Sequence, residues 1–532
     1  MSDDLEALIE RVVRDNDWSR VVDAAAFAPE ARAAGVSRRW PTAGPAGRSQ
    51  LAWWLGVTAT AAGDTLLLEL LATAVGSDAA AVLRALTARR IVAPTAELSR
   101  LLGDTGAAGD AVRESAVAAA GLAGDLSLAP LVAAALDGPA RMHAAIALGR
   151  MRATAYTAAL LARLPAQRDL MFGGFVVGLE LMGDAAAIAP LRAMVPAAGR
   201  PTLWQLHHAL VRLSGHDPVL PVDADEPTWV AAVQQAWATA ALDAPRVPTL
   251  TDVVVSEGDQ LTFTMRDGLG VVRIDYDAPP PGSSWPQWDK SLRVAGQDVY
   301  AVGSECGTCE TTLRHAGWPP PLAARHGDAI RAALHDLRSL EPATLEALAP
   351  LLATLRSGRY VAALTDLDLV RVDHAAGSWW HRRVTLRVSE DGERDQLDDD
   401  QGWPGVTHLE LREPLPGTPP TFGAIVPSQS LDELRPDVVD AKATAIRAGA
   451  RPAALALAWT DRREVGASFA EQFLIGMVLD GHHRLAAYAA LAVPARVLLI
   501  CRLEDTWGPP GDRARWFRDT AHAARVARSV TG

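Results

Sequence analysis

"VLDGHHRLAAYAALAVPARVLLI", residues 478–500, decides how this chain is read. An apolar run ends in Asp480-Gly481-His482-His483-Arg484, an Ala-rich segment follows, and a second apolar run closes the unit. The pattern predicts strand, helix, strand, with five polar or special residues at the first junction. Gly481 removes a side chain, so the backbone can turn sharply and approach a ligand. A helix starting near His482 presents unpaired N–H groups and a partial positive charge, which suit phosphate. Arg484 adds a planar, permanently charged fork for phosphate oxygens. His482 and His483 can donate hydrogen bonds or move a proton near neutral pH. Asp480 can hold Mg²⁺, act as a base, or cap the helix. The plain alternative is a polar helix cap with no ligand.

Upstream, "FGAIVPSQSLDEL", "RPDVVDAKATAIRAGA" and "RPAALALAWT" read as strand, helix, strand, and "FLIGMVLD" is the next strand. This order and the junction together resemble the ParB/sulfiredoxin-like domain, which we assign to residues 416–505. That family includes the N-terminal domain of chromosome-partition proteins, sulfiredoxin and a nucleotide-dependent free-serine kinase. The resemblance implies an α/β fold that binds a nucleotide with Mg²⁺ or another phosphate through Gly481, His482, His483 and Arg484. It also makes Asp480, His482 and His483 candidate catalytic residues of a phosphotransferase.

Compared position by position, Gly481, His483 and Arg484 match the sulfiredoxin-type glycine, cysteine, histidine, arginine motif. His482 stands where the cysteine would be, so sulfinic-acid repair is not expected. Partition proteins carry a glycine and paired arginines here; Gly481 and Arg484 fit, and His483 replaces one arginine. Only 27 residues follow Asp505, too few for their helix-turn-helix and dimerisation regions, so sequence-specific DNA binding is not expected. The kinase branch is the most similar at the junction, and Glu433 is the weak match for its early catalytic glutamate.

The first half reads differently. From residue 50 to 245 the chain is rich in Ala and Leu, with few strand signals. "SLAPLV" (127–132), "AALLA" (158–162) and "AIAPLR" (187–192) fall in register, with Ala129, Ala159 and Ala189 spaced 30 apart, as are Leu131, Leu161 and Leu191. Helix pairs at that period read as a solenoid whose units bury their apolar faces only against neighbours. The region resembles short HEAT-like repeats, which implies a surface for a protein partner. A plain Ala-rich helical domain with accidental register is the alternative. Residues 1–49 read as an N-terminal helical segment and 506–532 as a C-terminal helical tail.

Residues 246–415 read as a mixed α+β domain. "QLTFTMRDGLGVVRIDY" (260–276) predicts two strands joined by a hairpin turn at Asp267-Gly268, and "SLRVAGQDVYAVG" predicts another hairpin. Between them and the next helix lies Cys306-Gly307-Thr308-Cys309. This spacing lets two thiolates chelate Zn²⁺, with His315 or His326 as further ligands. It also fits a redox pair at a helix start, or two structural cysteines. "GSECGTCETTL" together with "DGHHRLAAY" resembles a combination in bacterial multidomain proteins, which implies shared architecture and no particular activity. The acidic stretch 389–405 reads as a solvated loop, with Mg²⁺ binding as the alternative.

The 532 residues are 49% hydrophobic and 21% charged, as in a folded soluble protein. A net charge of −12 argues against a general nucleic-acid surface. The start is acidic and amphipathic, not a signal peptide, and no run of about 18 apolar residues exists to span a membrane. Three cysteines are no disulfide framework, so a reduced bacterial-type cytoplasm is expected. Three classes stay open: a scaffold carrying a nucleotide- or phosphate-binding domain, a non-enzymatic adaptor, and a metal-binding or redox protein using Cys306 and Cys309.

Overall fold

The computed structural model describes residues 3–14, 26–58, 60–89, 91–103, 109–221, 224–242, 244–256, 260–277, 289–294, 297–303, 310–315, 331–367, 369–372, 378–381, 387–388, 394–395, 406–410, 421–426, 434–464, 470–506, 513–515 and 517. It divides into two compact units between Ser214 and Gly215.

The first unit is helical. Helices Pro45–Thr58, Gly76–Ala88, Gly109–Ala123, Arg141–Arg150, Asp169–Met182 and Arg200–Ser214 each pack on the next. Ala61–Thr73, Thr95–Gly103, Ala129–Ala133, Thr157–Arg163 and Ile188–Met194 alternate with them. The long helices start at 45, 76, 109, 141, 169 and 200, so the spacing runs from 28 to 33 residues. No strand occurs among the described residues 109–214.

A strict 30-residue register predicts Leu131, Leu161 and Leu191 at one buried position. Leu191 is buried, but Leu131 and Leu161 are partly exposed, and Val132 and Leu160 fill the equivalent places. The short 3₁₀ turns that enter these helices begin at Leu126, Thr154 and Ala185, 28 and 31 residues apart. A slip of one residue swings a side chain by about 100° around a helix, enough to move it off the core face.

Small residues let the long helices touch through their backbones. A Cβ on Gly149 would collide with the Gly178 carbonyl oxygen, and one on Gly121 would lie 2.8 Å from the Ala147 Cα. Polar links then repeat from one helix pair to the next. The Thr95 hydroxyl donates to Asp125 at 2.7 Å, and Asp125 caps the Ser127 N–H. Thr157 donates to Asp184 at 2.6 Å, and Asp184 caps the Ala186 N–H.

The second unit is built on strands. They are β1 Thr249–Ser256, β2 Gln260–Leu269, β3 Val272–Asp277, β4 Asp289–Val294, β5 Gln297–Gly303, β6 Glu310–His315, β7 Arg356–Leu367 and β8 Leu369–Val372. The rest are β9 Ser378–His381, β10 Arg387–Val388, β11 Arg394–Asp395, β12 Val406–Glu410, β13 Thr421–Val426, β14 Ala454–Glu464, β15 Ala470–Asp480 and β16 Ala495–Arg502. Nine form one sheet, ordered β1-β2-β7-β16-β14-β15-β13-β9-β8, and five form another, β12-β6-β5-β4-β3. In the large sheet β13–β15 and β14–β16 are parallel pairs, and the other neighbours are antiparallel.

Two expectations change here. The boundary at 415/416 between a mixed domain and a C-terminal domain is not a break in the sheet, because β16 pairs antiparallel with β7. Asp267-Gly268 is not a hairpin turn either. β2 runs past it and pairs with β7 through an irregularity between Met265 and Leu269, while β3 joins the other sheet beside β4. Asp267 does take the left-handed backbone (φ 53°) that favours turns. The next residues are claimed by another partner: Gly268 N–H donates to Ser357 Oγ, Leu269 N–H to the Ala353 carbonyl, and Gly270 N–H to the Leu355 carbonyl. β4 and β5 do pair antiparallel, as expected.

Alternation along β14 separates two cores. Leu455, Leu457 and Trp459 join Phe263, Tyr360 and the Pro342–Leu352 helix on one face. Ala454, Ala456 and Ala458 line the other, under Leu485, Tyr488 and Ile446 of the helices His482–Ala490 and Pro436–Arg447. Alanines on that face let the helices sit close to the strand.

Candidate functional site

The junction at residues 480–484 forms where β15 meets the His482–Ala490 helix. Gly481 is the helix N-cap, with φ +105°, a backbone that L side chains rarely adopt. A Cβ there would lie 2.8 Å from the Ala454 Cα, so the glycine also permits contact between the turn and β14. The expectation for Gly481 is close approach to a ligand; the backbone that it meets in the structure is the protein's own.

Arg484 is buried, and its Nη1 donates to the Ala453 carbonyl at 2.7 Å and to Asp480 Oδ2 at 2.9 Å. Asp480 and Arg484 therefore form an i,i+4 pair across the turn. One helical turn on, the buried Tyr488 hydroxyl donates to the Pro452 carbonyl at 3.1 Å. The same short segment is held from its other side. Arg451 N–H donates to Asp336 Oδ1 at 3.0 Å, and Ala453 N–H to the Leu334 carbonyl at 2.9 Å. Residues 451–453 are thus gripped between the junction helix and residues 334–336.

The two histidines differ. His482 is buried, and loss of hydration pulls its pKa down to about 4, against the opposing pull of Asp480 and with a small push from His483. It is neutral at pH 7. His483 is only partly buried, and its Nε2 accepts the backbone N–H of Arg435 at 3.1 Å. Burial, then the Arg435 charge, lowers its pKa as well. Arg435 itself pairs with Asp437 at 2.7 Å. The structure brings Asp480, Gly481, His482, His483 and Arg484 together at one turn.

Cys306, Cys309, His326 and Glu433 lie outside the described residues, as does most of 389–405; His315 ends β6. Among the described residues no group of three or more His, Cys, Asp or Glu side chains is placed to hold a metal ion. Cys501 is buried, its Sγ 2.7 Å from the Thr506 hydroxyl.

A second polar cluster was not foreseen. Asp217 accepts from Arg356 Nε at 2.8 Å and from Arg502 Nη2 at 3.4 Å, and Arg502 Nη1 donates to Asp505 at 3.0 Å. All four side chains are buried. Glu504 stands 3.6 Å from Arg502 Nε and accepts the Arg359 N–H. Burial raises the Glu504 pKa despite Arg502 beside it. The legible signal was an arginine closing the apolar strand "ARVLLICR", with Glu504 and Asp505 just after it. Asp217 and Arg356 carried no such mark.

No family model matches any part of the chain, and no curated protein matches its sequence.

Proposed function

We propose that the chain is a non-enzymatic adaptor, a HEAT-like helical scaffold for a protein partner joined to a ParB/sulfiredoxin-like region. In this reading the Asp480–Arg484 turn serves the fold. The observation that carries it is the buried Arg484, whose Nη1 is engaged by Asp480 and by the Ala453 carbonyl, where a phosphate-binding arginine would reach outward. The element order β13, helix, β14, β15, helix, β16 supports the resemblance to that family. Close-packed helices with exposed Val75, Val92 and Leu126 support a protein-binding role for the helical unit.

The test is calorimetric titration of the intact protein with ATP, ADP, CTP and GTP in the presence of Mg²⁺. No binding at millimolar concentration is expected. Saturable binding that Arg484→Lys or His483→Ala weakens would overturn the adaptor reading. It would restore the nucleotide-dependent phosphotransferase, which the left-handed Gly481 at a strand-to-helix junction favours. Partner capture by the intact chain should disappear in a Val75→Asp, Val92→Asp, Leu126→Asp variant. Zinc content of protein purified without chelator tests the separate reading of Cys306 and Cys309.

A further inference from the structure

The helices Pro436–Arg447 and His482–Ala490 pack against each other on the alanine face of the large sheet. The N-cap residue of Pro436–Arg447 is Arg435, whose own side chain makes no cap hydrogen bond, and Pro436 follows. The acceptor comes from the neighbouring helix, where His483 Nε2 receives the Arg435 N–H at 3.1 Å. A helix entry is thereby tied to the Asp480–Arg484 turn, 48 residues along the chain, through one imidazole nitrogen.

We propose that this hydrogen bond is a pH-sensitive latch, closed while His483 is neutral and open once it is protonated. An imidazole accepts only through an unprotonated nitrogen, so protonation sets two donors against each other. The charged groups that bear on the ring are Arg435, Asp437 and Lys442 from the Pro436–Arg447 end and Asp480 from β15. Among the described residues Arg435 is paired with Asp437, and Asp480 with Arg484. β8 packs on the His482–Ala490 helix. Burial and Arg435 lower the folded-state pKa of His483 from the ordinary histidine value. The latch is therefore complete above that value and is lost as pH falls through the lower folded one. Its consequence is local, a loosened helix entry beside an otherwise folded sheet. The inference does not depend on the adaptor reading.

Hydrogen exchange of the intact protein tests it, compared at about pH 7.5 and about pH 5 after correction for intrinsic rates. The peptide covering residues 434–440 should exchange roughly three- to tenfold faster at the lower pH, the effect of losing one hydrogen bond. His483→Ala should be fast at both pH values. His483→Gln, which keeps an acceptor oxygen but does not titrate, should stay slow at both. Equal corrected rates in the unmodified protein would overturn the latch. So would an acid response retained by His483→Gln, or one spread equally over peptides from β14 and β16.

Discussion

The helical and mixed-sheet units use charge in opposite ways. The first 214 residues carry 20 basic and 20 acidic side chains, whereas the remaining 318 carry 31 and 43, so the whole net charge of −12 falls in the second part. In the helical unit polar links are short in sequence: Thr95 to Asp125, Thr157 to Asp184 and Arg163 to Asp137 join positions 26 to 30 residues apart. In the sheet unit Arg356 and Arg502 reach Asp217 across 139 and 285 residues, and the group is buried. A link between neighbouring helices can be lost with a local penalty. A buried link between distant segments holds a whole unit together, because any remaining member is left charged and dry.

The contrast can be broken most sharply at Asp217. Asp217→Ala removes the buried carboxylate that Arg356 and Arg502 share and should destabilise the sheet unit by about 3–5 kcal/mol. Denaturant unfolding of the intact chain measures this, and a loss no larger than that of a surface pair would erase the distinction.

Acid should act on the same unit through His482. Its folded pKa of about 4 lies below the ordinary value near 6.5, so the unfolded chain takes up the proton first. Stability from this group is complete above about pH 6.5 and is lost as pH falls toward about 4, on the order of 3 kcal/mol in all. His482→Gln should flatten that slope in a series of unfolding curves.

Arg484→Ala should cost roughly 1.5–3 kcal/mol with no ligand present, the range for hydrogen bonds to charged groups. Unchanged stability would mean that the arginine is held ready for something else. In the helical unit, Gly149→Ala forces apart helices that touch through Gly178, and a loss of about 1–3 kcal/mol is expected in thermal melting. The smallest effect should come from Thr157→Val, about 1 kcal/mol for one hydrogen bond between adjacent helix pairs. If it equals the Asp217 effect, the helical unit is no more tolerant than the sheet.

Much of the candidate turn was legible because its conformation is local. A glycine between an apolar strand and an Ala-rich segment has few alternatives to a turn, and Gly481 takes the left-handed backbone. What Arg484 would touch was not legible. A strand-to-helix arginine suits phosphate, but the Ala453 carbonyl that it meets lies 31 residues earlier. The leucine register failed for a related reason. A mean spacing near 30 is visible in sequence, whereas the single-residue adjustments of 28 and 31 depend on how each short turn packs.

Sequence alone determined the helix-rich first part, the strand and helix order from β13 to β16, and the β4–β5 pairing. Each follows from periodicity and turn chemistry within a few residues. Only the tertiary structure decided that β7 and β16 adjoin and so unite the middle and the end of the chain in one sheet. It alone decided that Asp267-Gly268 becomes an irregularity facing residues 353–357, and that Asp217 gathers two arginines. Backbone donors and buried charges take whatever partner folding brings near, and nothing local in the chain announces a partner more than a hundred residues away.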